Sequence, residues 1–215
     1  MDDEPAIPSP RLLDTAISAI QLARACDLTD VSARLTSPPD FPAIWPGEHY
    51  RLLSALVTHL QPSLVIEIGT YTGLSSLAML TTLPTDSKLI TFDIVPWQSI
   101  DHTHLHHSDF ESGRLEQEIA DLSDPDQFVR FQPLLEQADL VFVDGPKDIR
   151  FEEAFLKHLS SLHLPKQPLL VFDDIKLWNM LRIWRTIRKP KLDLTSFGHW
   201  SGTGLVDWVD GEAES

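Results

Sequence analysis

The apolar positions of this chain change rhythm once, near residue 64. Before it they recur at helical spacing. Ser9-Pro10 reads as an N-cap followed by a first-turn proline, and Leu13, Ile17 and Ile20 then predict an amphipathic helix to about Cys26. Pro38, Pro39, Pro42 and Pro46 make 37–46 a loop. Leu52, Leu53, Leu56, Val57 and Leu60 mark the buried stripe of a second helix. Beyond it, short apolar runs at 64–68, 89–92, 140–143 and 169–172 alternate with helical patterns near 73–81, 125–137, 149–162 and 176–188. Runs this short and this rich in large or β-branched residues suit parallel strands buried on both faces.

The same reading leaves three weaker segments. Residues 115–121 form a strand candidate in which only Leu115 and Ile119 face inward. Residues 192–195 and 204–209 predict an antiparallel pair around a turn at 198–202, and 211–215 is a polar tail expected to fray. Between Phe92 and Leu115 no helical pattern stands out, so that crossover is expected to be irregular. The whole is an α/β chain with a doubly wound sheet.

Composition narrows the compartment and the partners. Hydrophobic residues make up 42% of 215, enough to build a core rather than a disordered chain. A formal charge of −15 repels phosphate backbones and argues against a nucleic-acid partner. No apolar run is long enough to span a bilayer, and the acidic N-terminus lacks a signal-peptide h-region. A cytoplasmic location with no membrane partner is the expectation. Cys26, the single cysteine, has no internal partner and reads as a packed thiol.

In open α/β sheets ligands bind beyond the carboxyl ends of the strands, and the chemistry-bearing residues stand there. The first strand runs into Glu67-Ile68-Gly69-Thr70-Tyr71-Thr72-Gly73-Leu74-Ser75. Gly69 and Gly73 permit a tight turn and close approach of a ligand. A carboxylate at 67, inside an apolar strand, needs a donor, and an α-amino group would serve. Asp93 ends the second strand, roughly 20 positions beyond the glycine turn, where an acidic residue can accept from ribose hydroxyls or else cap the next turn.

These residues resemble motif I of class I S-adenosylmethionine-dependent methyltransferases, especially the catechol and caffeoyl-coenzyme A O-methyltransferase group, which carries E-I-G-x-Y-T-G-x-S here. Pro46-Gly47-Glu48 and the Leu-rich helix are similar to that group's lead-in, and the resemblance runs from about 44 to 176. It implies a Rossmann-like seven-stranded sheet, mostly parallel with a C-terminal antiparallel strand. It further implies that Glu67, Gly69, Tyr71, Gly73 and Ser75 line the methionine end of the cofactor, that Asp93 takes the ribose, and that Asp121-Leu122 lies near the adenine. The fourth strand ends Asp144-Gly145-Pro146-Lys147-Asp148, and the metal-dependent members carry D-x-x-K-D there. The resemblance gives Asp144 to the cofactor and to Mg²⁺, and gives Lys147 the part of general base. Asp173 and Asp174, ending the fifth strand, complete the implied metal set. Three carboxylates suit an oxygen-ligated Mg²⁺, although strand-end aspartates also cap helices and Lys147 can simply pair with them.

Two further features remain. Asp101-His102-Thr103-His104-Leu105-His106-His107-Ser108-Asp109 superficially resembles the H-x-H-x-D-H of metallo-hydrolases, but His106 stands where that motif needs aspartate, so a solvated loop beside the cleft is expected. Lys176, Arg182, Arg185, Arg188, Lys189 and Lys191 give the last helix a basic face opposite Leu177, Leu181, Trp184 and Ile187. The resemblance also implies that a loop near the final turn helps close the acceptor site, a part that falls to His199 or Trp200 here.

The expected protein is an enzyme that methylates a hydroxyl of a small-molecule acceptor, with S-adenosylmethionine and possible Mg²⁺ assistance. Its expected division is an N-terminal extension with a Pro-rich loop (1–43), a cofactor-binding domain (44–210) and a tail (211–215). The helices of the extension can pack against a partner subunit in a homo-oligomer. Rival readings are a metal-independent N- or sugar-O-methyltransferase, a histidine-loop metallo-hydrolase, and a non-catalytic cofactor-binding module.

Overall fold

A computed structural model describes residues 7–36, 41–43 and 49–209. Among the described residues there are eight α-helices and seven strands; the strands and six of the helices follow the sequence pattern, while the two shortest helices do not. The helices are α1 (Pro10–Ala23), α2 (Thr29–Ser32), α3 (His49–Leu60), α4 (Leu74–Thr82), α5 (His107–Phe110), α6 (Pro125–Leu135), α7 (Arg150–Leu159) and α8 (Trp178–Thr186). The strands are β1 (Leu64–Ile68), β2 (Lys88–Asp93), β3 (Leu115–Ile119), β4 (Leu140–Val143), β5 (Leu169–Asp173), β6 (Lys191–Asp193) and β7 (Thr203–Asp207). They form one sheet in the order β3-β2-β1-β4-β5-β7-β6. Every pairing from β3 through β5 is parallel, and β7 runs antiparallel to both β5 and β6.

Both faces of the sheet are covered, which is why β1, β4 and β5 are apolar at nearly every position. On one face Val65, Leu89, Leu140 and Phe142 pack beneath α1, α3 and α4. On the other, Ile66, Ile90, Val141 and Phe172 meet α6, α7 and α8. The chain leaves β1 toward one edge and β4 toward the other, so the strand order reverses between them. A crevice opens at that switch point.

The structure departs from the sequence expectation elsewhere too. In β3 Leu115 is buried as expected, but Ile119, expected to face inward, is 48% exposed. In α1 the buried residues are Leu12, Thr15, Ala16, Ala19 and Ala23, while Leu13 and Ile17 face outward. Small side chains let this helix sit closely on α3, and a count of large apolar positions misses such a face. The crossover between β2 and β3 is not wholly irregular: it holds a 3₁₀ turn at Trp97–Ser99 and the short α5. The buried stripe of α8 is Met180, Ile183 and Trp184, with Ile187 just beyond, and Leu181 is only partly covered. The loop at 37–46 is described only at Phe41–Ala43, a 3₁₀ turn. Pro46-Gly47-Glu48 and the tail at 211–215 lie outside the described residues, as does the start of the proposed 44–210 domain.

Candidate active site

The carboxyl ends of β1, β2 and β4 surround a cleft of about 820 Å³, lined among others by Gly69, Tyr71, Asp93, Asp121, Asp144 and Lys147. That volume suits a small-molecule or cofactor site. Its floor is the loop after β1. Gly69 adopts φ +99°, and a Cβ there would stand 2.1 Å from the carbonyl oxygen of Asp144. Gly73 adopts φ +81°, and its Cβ would collide with Leu105. Both positions therefore require glycine.

Asp93 ties this loop to β2. Its Oδ2 accepts from the amides of Thr70 and Tyr71, each at 3.0 Å, and its Oδ1 from the Ile94 amide at 2.8 Å. The carboxylate thus closes the turn and also faces the cleft. Asp121 reaches the cleft wall too, with Oδ1 accepting from the Ser123 amide and hydroxyl. Its neighbour Leu122 is instead buried in the core. Ser75 is buried in the first turn of α4.

Glu67 points away from the cleft into the layer beneath α4 and is 0% exposed. The Ser76 hydroxyl donates to its Oε2, while Oε1 has no partner among the described residues. Burial pushes its pKa up to about 7, against hydrogen bonds from Ser75, Ser76 and Thr91. The donor expected for this carboxylate is supplied, at least in part, by the protein itself.

At the far end of the cleft, Asp144, Asp173 and Asp174 place one carboxylate oxygen each within 4.8 Å of one another. The Lys147 ammonium pairs with Asp144 and, at 2.7 Å, with Asp174. Burial and the neighbouring Asp173 push Asp144 up, even with the lysine beside it. Burial also works to raise Asp174, but hydrogen bonds from His199, Lys147 and Ser201 outweigh it and hold it low. Lys147 is raised: burial opposes its charge, and the two carboxylates overcome that. In this arrangement Lys147 is an ammonium, the opposite of the depressed pKa that a general base needs. The donor set itself fits a hard divalent cation, because crowded carboxylates need positive charge and offer only oxygen.

The backbone is strained at this centre. Lys147 and Asp174 have φ of +59° and +60°, and Tyr71 has +41°. Three non-glycine residues in the left-handed region at one site are the kind of outlier that surrounding structure must hold in place. For Lys147 the holder is Glu152, on the buried side of α7. It accepts from the amides of Lys147 and Ile149, each at 2.9 Å. The sequence reading missed this residue, although a glutamate sharing a helix face with Phe151, Phe155 and Leu159 was a visible signal.

His49 and His199 also converge on the acidic centre. The Nδ1 of His199 lies 3.2 Å from Asp173 Oδ1 and 3.5 Å from Asp174 Oδ1. Burial opposes charge on this ring, but its two carboxylate partners raise its pKa to about 10. The Nδ1 of His49 lies 3.8 Å from the same Asp173 oxygen, and burial lowers its pKa. His199 was anticipated from its turn; His49 carried no signal, since the sheet rather than the sequence brings it here.

The histidine stretch lies beside the cleft as expected. His102 Nε2 is 2.9 Å from the Tyr71 hydroxyl, and Arg34 makes a two-pronged pair with Asp109. Among the described residues, no group suited to a metal draws on 102–107. The metallo-hydrolase reading loses its centre. The basic face of α8 is partly spent on ion pairs, Arg182 with Glu153 and nearby Lys176 with Asp193.

Comparison with known proteins agrees with this architecture. No curated protein matches the sequence. Among solved structures, the S-adenosylhomocysteine-bound methyltransferase PaMTH1 of Podospora anserina is 15% identical with a TM-score of 0.56, over 97% of this chain and 92% of that one. A methyltransferase from Geobacter sulfurreducens is 17% identical with a TM-score of 0.55, over 91% and 90% of the two chains. The O-methyltransferase TomG of Streptomyces achromogenes, in complex with SAM and involved in tomaymycin synthesis, is 18% identical with a TM-score of 0.50, over 96% and 93%. At these identities the likeness is one of fold. The sequence pattern of the family described as O-methyltransferase matches residues 29–183, most of the chain and all of β1 to β5. With the fold, the glycine turn and the strand-end carboxylates in place, the chain belongs to the O-methyltransferase family.

Proposed function

We propose that this protein transfers a methyl group from S-adenosylmethionine to a hydroxyl of a small-molecule acceptor. The observation that carries the reading is the cleft over Gly69, where a missing Cβ, the Asp93-tied loop and Asp144 converge on one 820 Å³ space. The cofactor lies over this loop, with its ribose toward Asp93 and its adenine toward Asp121. Gly69 and Tyr71 flank its methionine end. Gly73 shapes the turn from behind, while Glu67 and Ser75 support it from the core rather than from the surface. Leu122 backs the adenine wall.

The acceptor oxygen attacks the cofactor methyl in line. An O–CH₃ bond forms, the S–CH₃ bond breaks, and S-adenosylhomocysteine and a proton leave. Holding both reactants in line supplies much of the rate. Asp144, Asp173 and Asp174 are the residues that would hold Mg²⁺, which when bound would orient the acceptor hydroxyl and lower its pKa. Lys147, now held as an ammonium by Asp144 and Asp174, is the residue placed to take the acceptor's proton, and it would do so only where the charge of those carboxylates is otherwise neutralised. Trp200, exposed and edge-on to His199, offers a flat apolar surface beside the acidic centre.

A second reading has an observation of its own. Lys147 already supplies positive charge to Asp144 and Asp174, as a metal-independent transferase would need. Methyl transfer from labelled S-adenosylmethionine to a panel of small hydroxylated acceptors tests the activity, and chelator separates the two readings. Loss of turnover in chelator, restored by Mg²⁺, supports the metal-assisted route; full turnover in chelator removes it. No transfer to any hydroxyl, with transfer to amines, would overturn the O-methyl assignment.

Two coarser features complete the proposal. No described helix is long and apolar enough to cross a membrane, and a cytoplasmic location with no nucleic-acid partner fits the strongly acidic chain. Outward-facing Leu13 and Ile17 on α1 support self-association, which light scattering of wild type and Ile17→Ser would test.

A further inference from the structure

We propose that His49, Asp173 and His199 form a binding site for a divalent transition-metal ion of the zinc class, with two nitrogen ligands and one oxygen. Residues from three separate elements build it: the first turn of α3, the end of β5 and the turn before β7. The two imidazole Nδ1 atoms face the same Oδ1 of Asp173, at 3.8 and 3.2 Å. Ligands about 2.0–2.2 Å from a tetrahedral ion stand about 3.4 Å apart, so this spacing matches a coordination shell.

The buried ring is the independent pointer. His49 is 6% exposed, and its Nδ1 has no hydrogen-bond partner among the described residues although it aims at Asp173. An unpartnered polar atom held in the core costs free energy, and a metal–nitrogen bond would offset that cost. The ring is fixed by packing, edge-on to Tyr50 and 5.1 Å from the His199 ring. Lys147 engages Asp144 and Asp174, whereas both histidines engage Asp173. The His199 Nδ1 also reaches Asp174 at 3.5 Å and the Ser201 hydroxyl at 2.8 Å, and the ion would take the place of the proton that this nitrogen shares with them. The site is therefore chemically distinct from an all-oxygen magnesium set, even though the two share Asp173. Imidazole ligands favour Zn²⁺, Co²⁺ and similar ions, while Mg²⁺ prefers oxygen alone. A methyltransferase able to take either class of ion would have its turnover set by which one is bound. The metal site itself does not rest on the methyl-transfer reading.

The test uses the full chain, stripped with chelator and titrated with Zn²⁺ or Mg²⁺ alone by calorimetry, with Co²⁺ absorption as a spectroscopic report of nitrogen ligation. Wild type is expected to bind Zn²⁺ more tightly than Mg²⁺. His199→Ala and His49→Ala should each weaken Zn²⁺ by at least about tenfold and dim the Co²⁺ bands, while Mg²⁺, which uses neither imidazole, should not lose affinity. Asp144→Asn should do the reverse, weakening Mg²⁺ and sparing Zn²⁺. His199 is partly exposed, so its variant decides the matter should His49→Ala fail to fold. Zinc affinity unmoved in His199→Ala, or lost only when His102 and His104 are replaced, would overturn the site.

Discussion

Gly69 is the residue on which the cleft depends most directly. Alanine there must take a left-handed φ and place its Cβ 2.1 Å from a backbone oxygen that cannot yield cheaply. Gly69→Ala is expected to cost roughly 1–3 kcal/mol of stability from the backbone alone and to push the β1 loop off Asp144. Denaturant unfolding checks the first effect. Glu67 gives a second test through pH. Its carboxyl pKa rises from 4.5 to about 7 on folding, so the native state holds that proton more tightly than the unfolded chain. Its contribution is full below about 4.5 and is lost as pH rises through 7, a span worth on the order of 3 kcal/mol. Glu67→Gln keeps the acceptor for Ser76 and removes the titration. Melting curves should show the variant gaining on wild type between pH 5 and 8; a difference that stays flat with pH would contradict the burial argument.

Among the elements, the β4–α7 connection shows how a helix serves the site from behind. Glu152 receives the amides of Lys147 and Ile149, and it is almost fully buried. Glu152→Ala would leave two amides without their partner and should cost about 2–4 kcal/mol, while Glu152→Gln, which can still accept at one oxygen, should cost less. Urea unfolding of the pair checks the order, and equal losses would mean that helix packing rather than the hydrogen bonds matters. The element scale also shows where the sequence could be read and where it could not. The central strands β1, β2, β4 and β5 were legible because burial on both faces leaves unbroken apolar runs, and the carboxylates of the candidate site were legible because they follow those runs. The edge strands β3 and β6 are only partly buried and gave a weaker pattern. The inner face of α1 was not, because Ala16, Ala19 and Ala23 pack by being small while the bulkier Leu13 and Ile17 stay outside. His49 escaped because its partner Asp173, more than a hundred residues away, is set by tertiary approach. Glu152 escaped because it turns back onto the loop before its own helix, whose left-handed backbone at Lys147 and Ile149 leaves no mark in the sequence. The charged state of Lys147 is likewise a product of packing, since Asp174 reaches it only once β4 and β5 are paired.

For the molecule as a whole, binding and stability are linked. A ligand that fills the cleft binds the folded state alone, and at a hundredfold its dissociation constant it adds about 2.7 kcal/mol. For a chain of this size that corresponds to a rise in Tm of roughly 5–10 °C with saturating S-adenosylmethionine. The cleft lies between loops from both halves of the sheet, so the shift should appear as a single cooperative transition. The family match spans residues 29–183 and covers the parallel strands that carry the cleft. The β7 insertion beside β5 adds what those strands lack, bringing the His199 turn onto the acidic centre.

Calorimetric titration of S-adenosylmethionine into the wild-type chain and into Gly69→Ala tests the cofactor cleft at its floor. Wild type is expected to show saturable one-site binding and the variant to lose it, because the close approach of the β1 loop to Asp144 shapes the cofactor cleft. Absence of binding to wild type, or equal binding to both proteins, would contradict this reading of the cleft.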